Sequence, residues 1–182
     1  MPHESELSNF KNLAKGVDVA PLAEALAAHK DEIETILKRF PDDHATSFAR
    51  LNIAMANTGA FIKIADKTHC PQLIHIVHLT SSKEQNLVFM PRSIISVGKL
   101  AEASVMETHI SFSNEVVYFS NALTDIYLAN NAILQYHKAL SECFKAFHLW
   151  MTRVWQEKDS SFNGCSLMVG GSITRNNLDI IV

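Results

Sequence analysis

At 182 residues the chain is sized for one domain with a substantial core, and its 47% apolar and 19% charged residues are those of an ordinary globular protein. A net charge of −3, with Lys and Arg scattered along the chain, excludes the basic stripe of a nucleic-acid surface. The N-terminus MPHESELSNF does not read as a signal peptide, and no apolar run approaches a membrane span. Three cysteines (Cys70, Cys143, Cys165) are too few and too scattered for a disulfide framework, so the expectation is a cytoplasmic chain with reduced thiols and no nucleic-acid or membrane partner.

Residues 1–58 read as helical. Leu22, Leu26, His29, Ile33, Ile36, Leu37 and Phe40 recur at helical spacing and predict one helix over Pro21–Phe40, with Asp18 as a cap, Lys38 and Arg39 in the last turn and Pro41 as the stop. A second helix is expected over Asp43–Ala56, with Phe48, Leu51 and Met55 on one face and Asn57–Gly59 ending it.

From residue 59 to 182 the chain becomes a series of short apolar segments separated by small or polar turns. AFIKIA, QLIHIVHL, NLVFM, SIISV, SVMETHIS, EVVYFS, DIYLA, AILQYHK, SLMVG and NLDIIV all read as strands, and SECFKAFHLW is the one candidate helix among them. Many short strands without crossover helices argue against an α/β sheet and for a sandwich, a barrel or a solenoid. ISVGKLAEASVMET, IYLANNAILQYHK and, more loosely, LMVGGSITRNNLDI share a form. A strand meets a small residue (Gly98, Ala129, Gly170), and a second strand then follows with Ala103 or Ala132 facing inward. That form suits the corner of a parallel β-helix, with a Greek-key sandwich as the alternative.

Candidate chemistry lies in three stretches. HCPQLIHIVH brings His69, Cys70, His75 and His78 together, but a strand turns His75 and His78 to opposite faces, which is poor geometry for zinc. In VMETHIS, Glu107 and His109 share a face and form a potential acid/base or metal pair; a surface pair on a sheet is the plain alternative. QYHKALSE adds His137 and Lys138. GCSLMVGG lacks the G-x-S-x-G elbow, GGSITRN lacks the phosphate-loop pattern, and the cysteines form no C-x-x-C; each reads as a small buried hydrophobe.

LNIAMANTGAFIKIADKTHCPQLIHIVHL, then MPRSIISVGKLAEASVMETHIS, YFSNALTDIYLANNAILQYHK, KAFHLW, VWQEKDSSF and TRNNLDI, in that order, resemble the SufB/SufD family of iron–sulfur cluster assembly scaffolds. The stretches Lys145–His148 and Asp159–Phe162 look closer to the SufD side of the family. Leu140 stands where the family pattern would have Gln. The resemblance implies a mainly β fold, a right-handed parallel β-helix core over 59–182 preceded by a small α-helical segment over 1–58. It implies a non-catalytic scaffold with a SufB-like subunit and a SufC-like ATPase as partners, and a cluster handled by the complex rather than by a cofactor of this chain. It also implies further coils and a helical region beyond Val182, so that this chain would be a fragment able to self-associate through its open coil. Glu107, His109 and His137 are the candidate functional core positions. The alternatives are a small all-β metal-binding protein or enzyme using His75, His78, Glu107 and His109, of which a cupin is one form, and a standalone β-solenoid interaction module.

Overall fold

The structure is a computed structural model that describes residues 8, 13–40, 46–56, 58–81, 84–112 and 115–182. A strand that alternates apolar and polar residues must bury one face. Here the chain does so by winding, each strand stacking on its counterpart one coil earlier. Strand β1 (Val17–Pro21) is followed by helices α1 (Leu22–Ala28), α2 (Lys30–Leu37) and α3 (Ser47–Met55). Then come β2 (Thr58–Ile64), β3 (His69–Thr80), β4 (Leu87–Phe89), β5 (Pro91–Val97), β6 (Glu102–Ser111), β7 (Tyr118–Leu128), β8 (Ile133–Glu142), β9 (Phe147–Gln156), β10 (Ser161–Gly170) and β11 (Ile173–Ile181). One sheet has the order β1-β2-β5-β7-β9-β11, with β4 added beside β7; the other has the order β10-β8-β6-β3. Among the described residues every pairing is parallel except β1 on β2. The result is a parallel β-solenoid of about four turns, as expected from the repeated strand–corner–strand form. Parallel pairing rules out both the Greek-key sandwich and the cupin barrel.

The corners explain the regular stacking. Lys67, Leu100, Asn131 and Asp159 each adopt φ near +59°, one per coil. Adjacent corners are tied by main-chain hydrogen bonds: the Lys67 N–H donates to the Lys99 carbonyl, Leu100 to Asn130, and Asn131 to Lys158. A β-carbon at Gly98 would fall 2.5 Å from Asp66 Oδ1, so the small residue expected there is required by close approach. Ala103 and Ala132 face inward and are buried. Between the sheets at this end lies an apolar core of Ile62, Ile64, Ile95, Val97, Val105, Ile126, Leu128, Leu134 and Val154. Each such side chain contributes about 1.5–3 kcal/mol by leaving water.

The outer face of the first sheet is roofed by the N-terminal elements. Phe61 and Ile94 pack under Leu22, Ala25, Ile33, Ile36 and Phe40, which is why β5 is buried at every position. Several sequence expectations change here. The single helix over Pro21–Phe40 is two, because His29 leaves helical geometry (φ −125°, ψ 29°) to place its ring on Phe61 and its Nε2 3.0 Å from Asp18. Asp18 is therefore no cap; it lies in β1 opposite Lys63, in a strand the apolar pattern did not announce. The expected start at Asp43 lies outside the described residues. Thr46 caps α3, its hydroxyl accepting the Ala49 N–H. The face of α3 is also reversed: Ala49 and Asn52 are buried, while Phe48, Leu51 and Met55 are exposed. Asn52 decides this by donating its amide to the carbonyls of Pro91 and Asn121, which only close approach permits. EVVYFS and DIYLA merge into β7, and SECFKAFHLW is no helix but the end of β8, a tight turn and the start of β9.

Candidate functional site

Beyond the apolar end, the space between the sheets turns polar, and this change of lining defines the candidate site. On the second sheet, β6 points Val105, Glu107 and His109 inward and β8 points Leu134, Tyr136, Lys138, Leu140 and Glu142 inward, and all of them are buried. Ser93 on β5, Thr124 on β7, and His148, Trp150 and Thr152 on β9 are the buried counterparts on the first sheet.

Glu107 is the hub. Its Oε1 accepts from His78 Nε2 (2.8 Å) and Ser93 Oγ (2.7 Å), and its Oε2 from Thr124 Oγ1 (2.9 Å) and Tyr136 Oη (2.6 Å). Burial pushes its carboxyl up, but the hydrogen bond and charge of His78, with the Tyr136 and Ser93 hydroxyls, hold it below its ordinary value. Burial, reinforced by the Glu107 charge, raises the Tyr136 phenol well above its own. Lys138, the register neighbour of Glu107, donates to Thr152 Oγ1 (3.0 Å) and to Asn176 Oδ1, and lies 4.7 Å from the Trp150 ring centre. Burial lowers its pKa to about 8, against the pull of Glu107.

A second group adjoins this hub. The His109 ring stacks on His78 at 4.3 Å, its neighbour one coil away, and meets His148 and Trp150 edge-on at 4.7 and 4.4 Å. Burial, and then the charges of His78, His148 and Lys138, hold His109 well below the ordinary imidazole value, so it is neutral. Glu142 Oε1 stands 3.3 Å from His148 Nδ1. Yet His109 Nε2, Glu142 Oε2 and both His148 nitrogens are buried without a hydrogen-bond partner among the described residues. Such orphans each cost about 1–3 kcal/mol unless something else pairs with them. His78, Glu107 and His109, and likewise His109, Glu142 and His148, bring their potential ligand atoms within 4.8 Å of one another.

The sequence candidates separate cleanly against this geometry. Glu107 and His109 are not a surface pair; they are 1% and 3% exposed at the centre of the molecule. His78 joins them. His75 lies on the opposite, solvent face, bonded to Thr108, so the four-residue set His75, His78, Glu107 and His109 is not one site. His137 is corrected too: it faces out, and Lys138 occupies the inward position. Leu140 is inward and buried, packed with Ala122 and Trp150. Cys70 and Cys143 are buried as expected, whereas Cys165 is exposed on β10. Sequence reasoning missed Glu142 and His148. Glu142 was readable from the alternation of β8, and His148 is in phase with Trp150, Thr152 and Val154 on β9 once that segment is taken as a strand.

These features define a class: a two-sheet parallel β-solenoid with an apolar end and a hydrogen-bonded polar interior. Residues 78–182 match the family described as SUF system FeS cluster assembly, SufBD core domain, and the chain belongs to that family. It is 24% identical to an iron–sulfur cluster assembly SufBD family protein of Synechocystis sp., a similarity that covers 96% of this chain and 40% of that protein. The chain thus spans two fifths of the length of that curated relative. Glu107, His109, Glu142 and His148 all fall within the family-matched segment. Among the described residues, no helix is long and apolar enough to cross a membrane.

Proposed function

We propose that the chain is part of a non-catalytic, SufD-like scaffold subunit that works in the cytoplasm with a SufB-like subunit and a SufC-like ATPase to build iron–sulfur clusters. The observation that carries this reading is the family match over residues 78–182, which coincides with the stacked coils. The SufD-side assignment rests on the Lys145–His148 and Asp159–Phe162 stretches. A solenoid with locked corners and a filled interior is a stiff body, which suits a part that transmits a shape change driven by ATP hydrolysis elsewhere. In this reading iron and sulfide are cargo of the assembled complex.

β10 and β11 are the last described strands of the two sheets. Leu167, Val169, Ile173, Leu178 and Ile180 are exposed there, and each strand has one neighbour in its sheet. An apolar edge of this kind pairs with further strands, whether of a longer chain, of a partner or of a second copy. Depletion in the native cells tests the function. The activity of iron–sulfur enzymes such as aconitase is expected to fall while their protein levels hold. Unchanged cluster occupancy after depletion would contradict it.

A further inference from the structure

We propose that His109, Glu142 and His148 form a resident site for one divalent transition-metal ion inside the solenoid. The three side chains come from β6, the end of β8 and the start of β9, so the site closes only when successive coils have stacked. All are buried, at 3%, 6% and 0% exposure, and their ligand atoms lie within 4.8 Å of one another. Four of the six side-chain nitrogens and oxygens are the orphans already described: His109 Nε2, Glu142 Oε2 and both nitrogens of His148. One cation at their centre would accept a lone pair from each residue and so satisfy three of the four; with His148 ligating through Nε2, its Nδ1 is left facing Glu142 Oε1 at 3.3 Å.

The adjoining group, His78, Glu107 and His109, is as close-set but is not the metal site. Each Glu107 oxygen already accepts two hydrogen bonds, so its lone pairs are committed to protons. Its part is to balance the Lys138 ammonium beside it and, through His78, to hold the His109 ring by stacking. Trp150 braces His109 from the opposite sheet at 4.4 Å and lies 5.8 Å from His148 on its own strand. Two imidazoles and one carboxylate select ions such as Fe²⁺, Co²⁺ or Zn²⁺ over Ca²⁺ and Mg²⁺, which favour all-oxygen shells, and the absence of a thiolate from this donor set disfavours Cu⁺. The ion would be a fixed part of the fold rather than cargo. The inference does not depend on the assembly role.

Co²⁺ is the probe. The full gene product is unfolded in chelator, refolded with excess Co²⁺ and desalted. One equivalent of retained cobalt with visible ligand-field bands, and a thermal midpoint above that of protein refolded in chelator, is the expected result. Glu142→Gln and His148→Gln keep shape and polarity, and each is expected to lose the bands and the thermal shift. Two controls guard against misreading. His75→Gln, on the solvent face, is expected to retain both signals, and circular dichroism checks that each variant is folded. Wild-type protein that retains no cobalt, or cobalt retained undiminished by the folded Gln variants, would overturn the proposal; the first result would mean that water alone fills the gap, and the second that the ion binds elsewhere.

Discussion

Glu107 shows how much one buried side chain can organise. Its four donors come from β3, β5, β7 and β8, so its carboxylate ties both sheets and three successive coils together. Glu107→Gln would keep the shape but set an amide N–H₂ against donors. A loss on the order of 3 kcal/mol in urea unfolding is expected, larger than for a buried neutral hydrogen bond. Lys138 gives a pH signature. Its pKa is 10.5 in the unfolded chain and about 8 in the fold, so between those values the unfolded chain binds more protons. Stability therefore rises from about pH 8 to 10.5, by at most on the order of 3 kcal/mol at about 1.4 kcal/mol per unit, and Lys138→Met is expected to flatten that rise. On the acid side His109 acts in the same sense. Its folded value lies well below the ordinary 6.5, so stability is full above 6.5 and is lost progressively as pH falls below 6.5 toward that folded value. At this scale the sequence was half legible. The pairing of Glu107 with His109 on one inward face follows from period two. The chemistry of His137 argues against the phase of its own strand, in which Tyr136, Lys138 and Leu140 are the inward set. That the pair is buried rather than on the surface depends on the opposite sheet, and no local pattern carries it.

Among the elements, the strands were legible and the helices less so. Strand alternation survives because every coil buries the same face. The corners were readable where glycine or alanine marks them, but Leu100 and Lys67 hold left-handed conformations that their residue types do not announce. Leu100 is half exposed, so Leu100→Gly should relieve backbone strain at little loss of burial and raise stability by up to about 1 kcal/mol. Gly59→Ala is the opposite case. At φ +137° its new β-carbon would fall 1.7 Å from the Arg92 carbonyl oxygen in the paired strand. Roughly 3 kcal/mol or more should be lost, measured by thermal melting of the two variants side by side. The reversed face of α3 was beyond sequence reasoning. Apolar periodicity favours Phe48, Leu51 and Met55, but the sheet selects Asn52 because strand carbonyls of β5 and β7 need its amide. The break at His29 is likewise a tertiary choice, made by Phe61 and Asp18.

At the scale of the whole molecule, the solenoid has a filled, roofed body and an apolar strand edge. The roof includes a buried ionic cluster in which Arg92 and Arg153 both bond Asp125, with Phe40 over Arg153. β10 and β11 expose an apolar edge in the 182-residue chain. Sedimentation of the 182-residue chain should show self-association that grows with concentration, and Leu178→Lys with Ile180→Lys should abolish it. A strictly monomeric, folded chain at high concentration would show that this edge needs no cover. The role in cluster assembly is tested most directly by which proteins the complete gene product keeps company with. Affinity capture from its native cells, with the tag at the chromosomal locus, is the measurement. The account predicts a SufB-like subunit and a SufC-like ATPase recovered in near-equal amounts with the tagged protein. Recovery of the protein alone, at native abundance and without either of them, would contradict it.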